Sequence, residues 1–299
     1  MGIEKILICG LGAVGVTYAD KLKDICELKI LADSERVKKY KQFPPELNNK
    51  QILLDYITED STWNPDLIII TTKFNGLNSA INYINNFVSN KTIIISLING
   101  ISSEKDIIQR YGCDKVLHSY FIGHSAVREG NKVFQDGVGK IVFGSPFKEN
   151  SNKIESLEKF FKTHNIDYEV PEDIIYSMWL KYTLNVFSNQ ASAILNLTFG
   201  KMKQNVFQSF AKKIIAEVAS IAEKEGVSCT ENLEKDALNC LMNMVDDGKT
   251  SMLQDILAKR KTEVDIFAGE IIRLGEKHKI STPYNQVMYD MIKIIEENY

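Results

Sequence analysis

Up to about residue 145 the apolar positions fall in short, continuous blocks. They are Ile6-Leu7-Ile8-Cys9, Leu28-Lys29-Ile30-Leu31, Leu67 to Thr71, Thr92 to Leu97 and, less cleanly, Val116 to Phe121. Each block is set off by a polar, helix-compatible stretch or a turn. Runs of this length without strict alternation suit strands buried on both faces, as in a parallel sheet covered by helices. The βα order then predicts an α/β N-terminal domain of the Rossmann type, doubly wound. Two further strand-like pieces, Lys132 to Gln135 and Lys140 to Phe143, are split by Asp136-Gly137-Val138-Gly139 and read as a hairpin closing this domain.

After Pro171 the period changes. Phe210, Ile214, Ile215, Val218 and Ile221 form one helical stripe, and Ile256, Val264, Phe267, Ile271 and Leu274 contribute to another. An all-α C-terminal domain follows from this. Gly226 and Gly275 sit where left-handed helix stops are expected. The boundary falls between Glu169 and Glu172, giving a sheet-based domain over residues 1–170 and a helical domain over 171–299. Two domains suit the length, since single cores stop growing near roughly 250 to 300 residues.

Composition removes several function classes. With 44% apolar and 25% charged residues the chain is an ordinary globular one and not disordered. A net charge of -3, with both signs interspersed, offers no footprint for nucleic acid. No run reaches the roughly 18 apolar residues that span a bilayer, and Ile6 to Cys9 is too short for a signal-peptide core, so neither membrane nor export is expected. The five cysteines are scattered without Cys-x-x-Cys spacing and read as reduced thiols of a cytoplasmic protein. No metal is assigned: His124 has no second histidine at ligand spacing and reads as holding the loop backbone.

Gly10-Leu11-Gly12-Ala13-Val14-Gly15 fits G-x-G-x-x-G, directly behind a strand and ahead of a helix-compatible segment. The first glycine permits the tight turn, the second lets backbone approach a pyrophosphate, and the third lets helix and strand pack closely. Asp33, about 20 residues further on, is placed to accept hydrogen bonds from the adenosine ribose, which favours NADH over NADPH. Arg36, Lys38 and Lys39 nearby could instead hold a 2′-phosphate, and Asp33 could be the N-cap of the next helix.

Delivering a hydride to a carbonyl leaves charge on its oxygen, so such a site needs a proton donor and neutral polar groups that fix the substrate. Lys181, Asn185 and Asn189 recur every four residues within Tyr176 to Asn189 and share one helical face among largely apolar neighbours. Two other segments carry candidates: Ser251-Met252-Leu253-Gln254-Asp255 with Lys261 to Asp265, and Ser96-Leu97-Ile98-Asn99-Gly100 at a strand end. Each has a plainer reading. Lys181 could snorkel, Lys73 could be a solvated loop cation, Asn99-Gly100 a turn pair, Ser251 a helix cap, and Glu263 solvent-facing.

These segments together resemble the ketopantoate reductase (2-dehydropantoate 2-reductase) family. The likeness runs through most of the chain in order and spacing: the fingerprint, Thr72-Lys73, Asn99-Gly100, His124 to Gly130, Trp179 to Asn189, and Ser251 to Glu263. It implies reduction of the 2-keto group of ketopantoate to pantoate, on the way to pantothenate and coenzyme A. By the same resemblance Lys181 is the proton donor, Asn185, Asn189 and Ser251 bind substrate, and Glu263 lies near cofactor and substrate. Lys73, Asn99 and Ala126 match cofactor-contacting positions. The chain departs from the family at Asp33, where a basic residue for the NADPH 2′-phosphate is usual, and at Gln190, where proline is common. Two other classes fit the residues less fully: a paralogous reductase of another 2-keto or 3-hydroxy acid, and a non-catalytic nicotinamide-binding redox sensor. Striped helices such as Phe207 to Ile221 are compatible with a homodimer.

Overall fold

The computed structural model describes residues 2–123, 125–137 and 139–299; His124, read above as a loop-holding residue, lies outside them. Among the described residues twelve strands lie in the first part of the chain. They are β1 (Lys5–Cys9), β2 (Glu27–Leu31), β3 (Glu46–Leu47), β4 (Lys50–Gln51), β5 (Tyr56–Ile57), β6 (Leu67–Ile70), β7 (Ile93–Ser96), β8 (Val116–Ile122), β9 (Ser125–Glu129), β10 (Lys132–Asp136), β11 (Lys140–Gly144) and β12 (Tyr168–Glu169). Eight of them form one sheet in the order β12-β11-β8-β7-β6-β1-β2-β5. Every neighbouring pair is parallel except β8 with β11.

The continuous apolar blocks are explained by the two cores they feed. Ile6 and Ile8 of β1 point to one face, where Val16, Tyr18 and Leu22 of the Ala13–Leu22 helix and Leu157, Phe160 and Phe161 of the Ser151–Thr163 helix cover the sheet. Leu7 and Cys9 point to the other, under Leu77, Ile81 and Ile84. Both faces are apolar because neither meets water.

One expected element is absent. The strands at 132–136 and 140–144 do not form a hairpin. β10 pairs antiparallel with β9, and parallel with β3, in a separate four-stranded sheet, while β11 pairs with β8 in the large one. The side chains account for the difference. Val133 is buried while Phe134 is exposed, so β10 is a one-faced strand, whereas Ile141, Val142 and Phe143 are all buried and need cover on two sides.

The chain divides into two compact units, Met1–Ile174 and Ile175–Tyr299. In the second, no strand occurs among the described residues. Its helices are Ile174–Leu195, Phe199–Met202, Asn205–Lys224, Leu233–Met242, Ser251–Leu257, Ala268–His278 and Pro283–Glu297. Gly226 stops its helix with φ +84 as expected. Gly275 does not: it lies inside Ala268–His278, and the left-handed residue is Lys279, φ 58. The amides of Lys279 and Ile280 reach back to the carbonyls of Glu276 and Gly275, at 3.3 and 2.8 Å, closing the helix end. Gly275 is required by packing, because a Cβ there would stand 2.8 Å from the Ile280 carbonyl oxygen.

Candidate active site

The fingerprint turn leaves β1 beside β6, the strand on the opposite flank of β1 from β2, so it stands where the strand order reverses. Open α/β sheets form their ligand crevice at the carboxyl ends of strands at such a point. Gly10 adopts φ +108, and a Cβ on it would meet the Thr72 nitrogen at 2.8 Å. A Cβ on Gly15 would fall 2.1 Å from the Gly10 carbonyl oxygen and 2.7 Å from Thr71 Oγ1. Thr71, which the sequence reading passed over, donates its hydroxyl to that carbonyl at 2.5 Å and holds the turn closed. Its signal was only a polar residue at the end of an apolar strand.

Gly12 is the N-cap of Ala13–Leu22, with no side-chain cap and no acidic residue in the first turn. Ala13 and Val14 open that helix, and Leu11 is buried behind them. The amides of the first turn and the positive end of the helix are therefore offered to an anion. These residues fit a dinucleotide: the first-turn amides have no side-chain cap, and a Cβ on Gly12 would meet only the Thr71 carbonyl oxygen, at 3.5 Å, so that face of the turn is open. The Arg128 guanidinium of β9 also reaches this loop, donating to the Leu11 carbonyl.

Asp33 caps the Ser34–Gln42 helix. Its Oδ1 accepts the Arg36 amide at 2.8 Å, and Oδ2 lies 3.4 Å from the Arg36 guanidinium Nε. Lys73 is exposed just after β6, preceding the short turn Phe74–Gly76, and Asn99 is half-buried before Gly100, whose φ is +108. Ala126 is partly buried in β9, opposite Gln135 of β10.

In the second unit the polar stripe is organised by hydrogen bonds. The buried Asn189 accepts at Oδ1 from the Ser251 hydroxyl at 3.1 Å and the Met252 amide at 3.3 Å, and its Nδ2 donates to Asn185 Oδ1 at 3.1 Å. Asn185, Asn189 and Ser251 thus form one chain of contacts. The Met252 main-chain N–H can only donate, so it fixes which end of the Asn189 amide faces it. That in turn turns the oxygen of Asn185 toward Asn189 and leaves the Asn185 NH2 group as the donor at the outer end. Ser251 is not the cap of its helix; Thr250 is, accepting the Leu253 amide at 3.2 Å.

Lys181 lies one turn before Asn185 on the Ile174–Leu195 helix, half-buried. The next residue, Tyr182, is buried and packs edge-on to Trp179, and its hydroxyl donates to the Phe267 carbonyl at 2.8 Å. This ties the helix bearing Lys181 to the end of the turn that begins at Glu263, itself half-buried before the single turn Val264–Ile266. Gln190, at the departure noted above, keeps the helix running and donates to the Val186 carbonyl at 2.6 Å.

The family models for "Ketopantoate reductase PanE/ApbA" and its C-terminal part match residues 6–147 and 173–296. The chain belongs to the ketopantoate reductase family. A 2-dehydropantoate 2-reductase of Pyrococcus horikoshii is 28% identical over 297 residues, covering 98% of this chain and 97% of that one. Among solved structures, D-mandelate dehydrogenase with NADH and anilino(oxo)acetate matches with a TM-score of 0.86 at 22% identity, over 98% of this chain and 99% of that one. The dimeric ketopantoate reductase of Staphylococcus aureus matches with a TM-score of 0.77 at 20% identity, over 98% and 99%. The family is one of nicotinamide-dependent oxidoreductases, and both of its parts, the sheet-based and the helical, are present here in full order.

Proposed function

We propose that this chain reduces ketopantoate to pantoate, the Met1–Ile174 unit binding the nicotinamide dinucleotide and the Ile175–Tyr299 unit the keto acid. The observation that carries the reading is the chain from Met252 through Asn189 to Asn185, one helical turn from Lys181. A bound nicotinamide supplies the hydride. The Lys181 ammonium donates a proton to the carbonyl oxygen as charge develops there, and the Asn185 NH2 donates to the substrate's oxygen atoms. Asn189 has both lone-pair directions of its oxygen engaged, so it acts chiefly by aiming Asn185 and Ser251. The Ser251 hydroxyl, whose proton goes to Asn189, is left as an acceptor for a substrate hydroxyl. Glu263 orients the ammonium of Lys181.

Asp33 supports NADH as the preferred reductant, its second oxygen serving the ribose while the first caps the helix. A second reading, reduction of a different 2-keto acid, draws support from the likeness to a dehydrogenase bound to NADH and anilino(oxo)acetate. The five cysteines, all unpaired, support a reducing compartment, the cytoplasm. A homodimer is part of the proposal, supported by the exposed apolar stripe of Val287, Met291 and Ile294 on the last helix.

The test follows loss of reduced-nicotinamide absorbance with ketopantoate, using NADH and NADPH in parallel, for wild type and Lys181→Ala. Turnover that falls by about 10²- to 10⁴-fold in Lys181→Ala is the expected result. Cofactor binding without ketopantoate reduction would overturn the substrate assignment, and a screen of 2-keto acids would then decide the second reading.

A further inference from the structure

Glu263 is flanked on both sides by residues held to one element, the terminal helix Pro283–Glu297. On the preceding side, Thr262 donates both its amide and its hydroxyl to Glu296 Oε1, at 2.6 and 2.7 Å. The same hydroxyl accepts the Val264 amide at 3.3 Å, so one threonine oxygen joins Glu296 to the turn beyond Glu263. On the following side, Asp265 accepts from the Tyr289 hydroxyl at 2.9 Å and from Lys293 Nζ at 3.0 Å. Lys293 also stands 3.8 Å from Glu296 Oε2.

Tyr289, Lys293 and Glu296 are spaced four and three apart and so share one face of the helix. The Glu296 side chain is only 9% exposed. A carboxylate that buried, accepting two hydrogen bonds from a single loop residue, fixes the loop far more tightly than a surface ion pair does.

We infer that Glu296 is a positioning residue for catalysis: through Thr262 it holds the backbone that presents Glu263. This rests on the role of Glu263 in the proposed reaction. A turn of a few residues with a single helical loop, Val264–Ile266, has little stiffness of its own. Clamping it at both ends fixes where the Glu263 carboxylate emerges. Displacements of about 1 Å in a positioned group cost up to about 10²-fold in rate.

The experiment is a cycle in the full-length protein of wild type, Glu296→Ala, Glu263→Ala and the double variant, with Glu296→Gln and Thr262→Val as milder changes. It is read by kcat and KM for the keto acid and by hydrogen exchange of amides 262–266. Glu296→Ala is expected to lower kcat about 10-fold or more with cofactor affinity unchanged and to speed exchange at 262 and 264. Glu296→Gln, which keeps the acceptor oxygen, should stay within about 3-fold of wild type. In the Glu263→Ala background the Glu296→Ala effect should vanish, since a residue acting only through Glu263 has nothing left to position. An equal loss in both backgrounds, or unchanged exchange at 262–266, overturns the inference. If wild type reduces no keto acid, the functional reading fails by itself, and the exchange data still decide whether Glu296 clamps the turn. If it does reduce one and Glu263→Ala is fully active, the positioning role falls.

Discussion

His118 on β8 packs its ring against Phe147, and its Nδ1 is buried without a hydrogen-bond partner among the described residues. Burial lowers its pKa from the usual 6.5 to about 4. Between those pH values the unfolded chain binds a proton that the folded one refuses, so stability is complete above about pH 6.5 and declines as pH falls toward 4. The loss from this group is up to about 3 kcal/mol. Urea unfolding at pH 7 and pH 4.5 should therefore show a smaller pH difference in His118→Phe than in wild type; an unchanged difference would remove His118 from the acid limb. At this same scale the sequence was informative where a residue type is demanded by backbone, as at Gly10. It was less so where a side chain has two uses. Asp33 is both the acidic residue at the expected spacing and the N-cap of the next helix, and composition does not rank those roles.

Among elements, the terminal helix is anchored at its start by Glu217 of the Asn205–Lys224 helix. This buried carboxylate accepts from the Tyr284 amide at 2.8 Å, the Asn285 amide at 3.1 Å and Asn285 Nδ2 at 2.7 Å. It serves as the cap that Thr282 does not provide by side chain. Glu217→Ala leaves the two buried Asn285 donors without an acceptor and should lower unfolding free energy by about 2 to 4 kcal/mol in urea titration. A loss below about 0.5 kcal/mol would show that water replaces the carboxylate. A cap supplied from 68 residues away has no local signature, which is why it was not legible in the sequence. The main strands and helix stripes were, because burial on one or both faces writes a period into the chain. β10 and β11 were misjudged as a pair because both are short and apolar, and only the fate of Phe134 against Val142 distinguishes a one-faced strand from a two-faced one.

For the molecule as a whole, one surface feature bears on assembly. Tyr284, Val287, Met291 and Ile294 are 37%, 57%, 41% and 58% exposed and follow the three-and-four spacing of a helix-pairing seam. They lie on a different face of the terminal helix from Asn285, Met288 and Ile292, which are buried. Light scattering during gel filtration should give twice the chain mass for wild type and the chain mass for Val287→Glu; a monomeric wild type would sink the homodimer. At this scale the division into a sheet-based and a helical part was readable from the change of period after Pro171, and no helix of the described residues is long and apolar enough to cross a membrane. Lys181, Asn185 and Asn189 were offered as candidates by residue type and spacing on one helical face, whereas the roles of Ser251 and Glu263 entered only with the family resemblance. The direction of the hydrogen bonds that join Asn185, Asn189 and Ser251 was not legible, since it originates in a main-chain amide. The closure of the fingerprint turn has its own bearing on ancestry. Gly15 is excluded from becoming alanine by the carbonyl of Gly10, not by any ligand. A descendant of this chain that gave up nicotinamide altogether would still keep that glycine in order to fold, while Gly12, whose Cβ would meet only the Thr71 carbonyl at 3.5 Å, would be free to change, so Gly15 would outlive the activity, as a fossil of it.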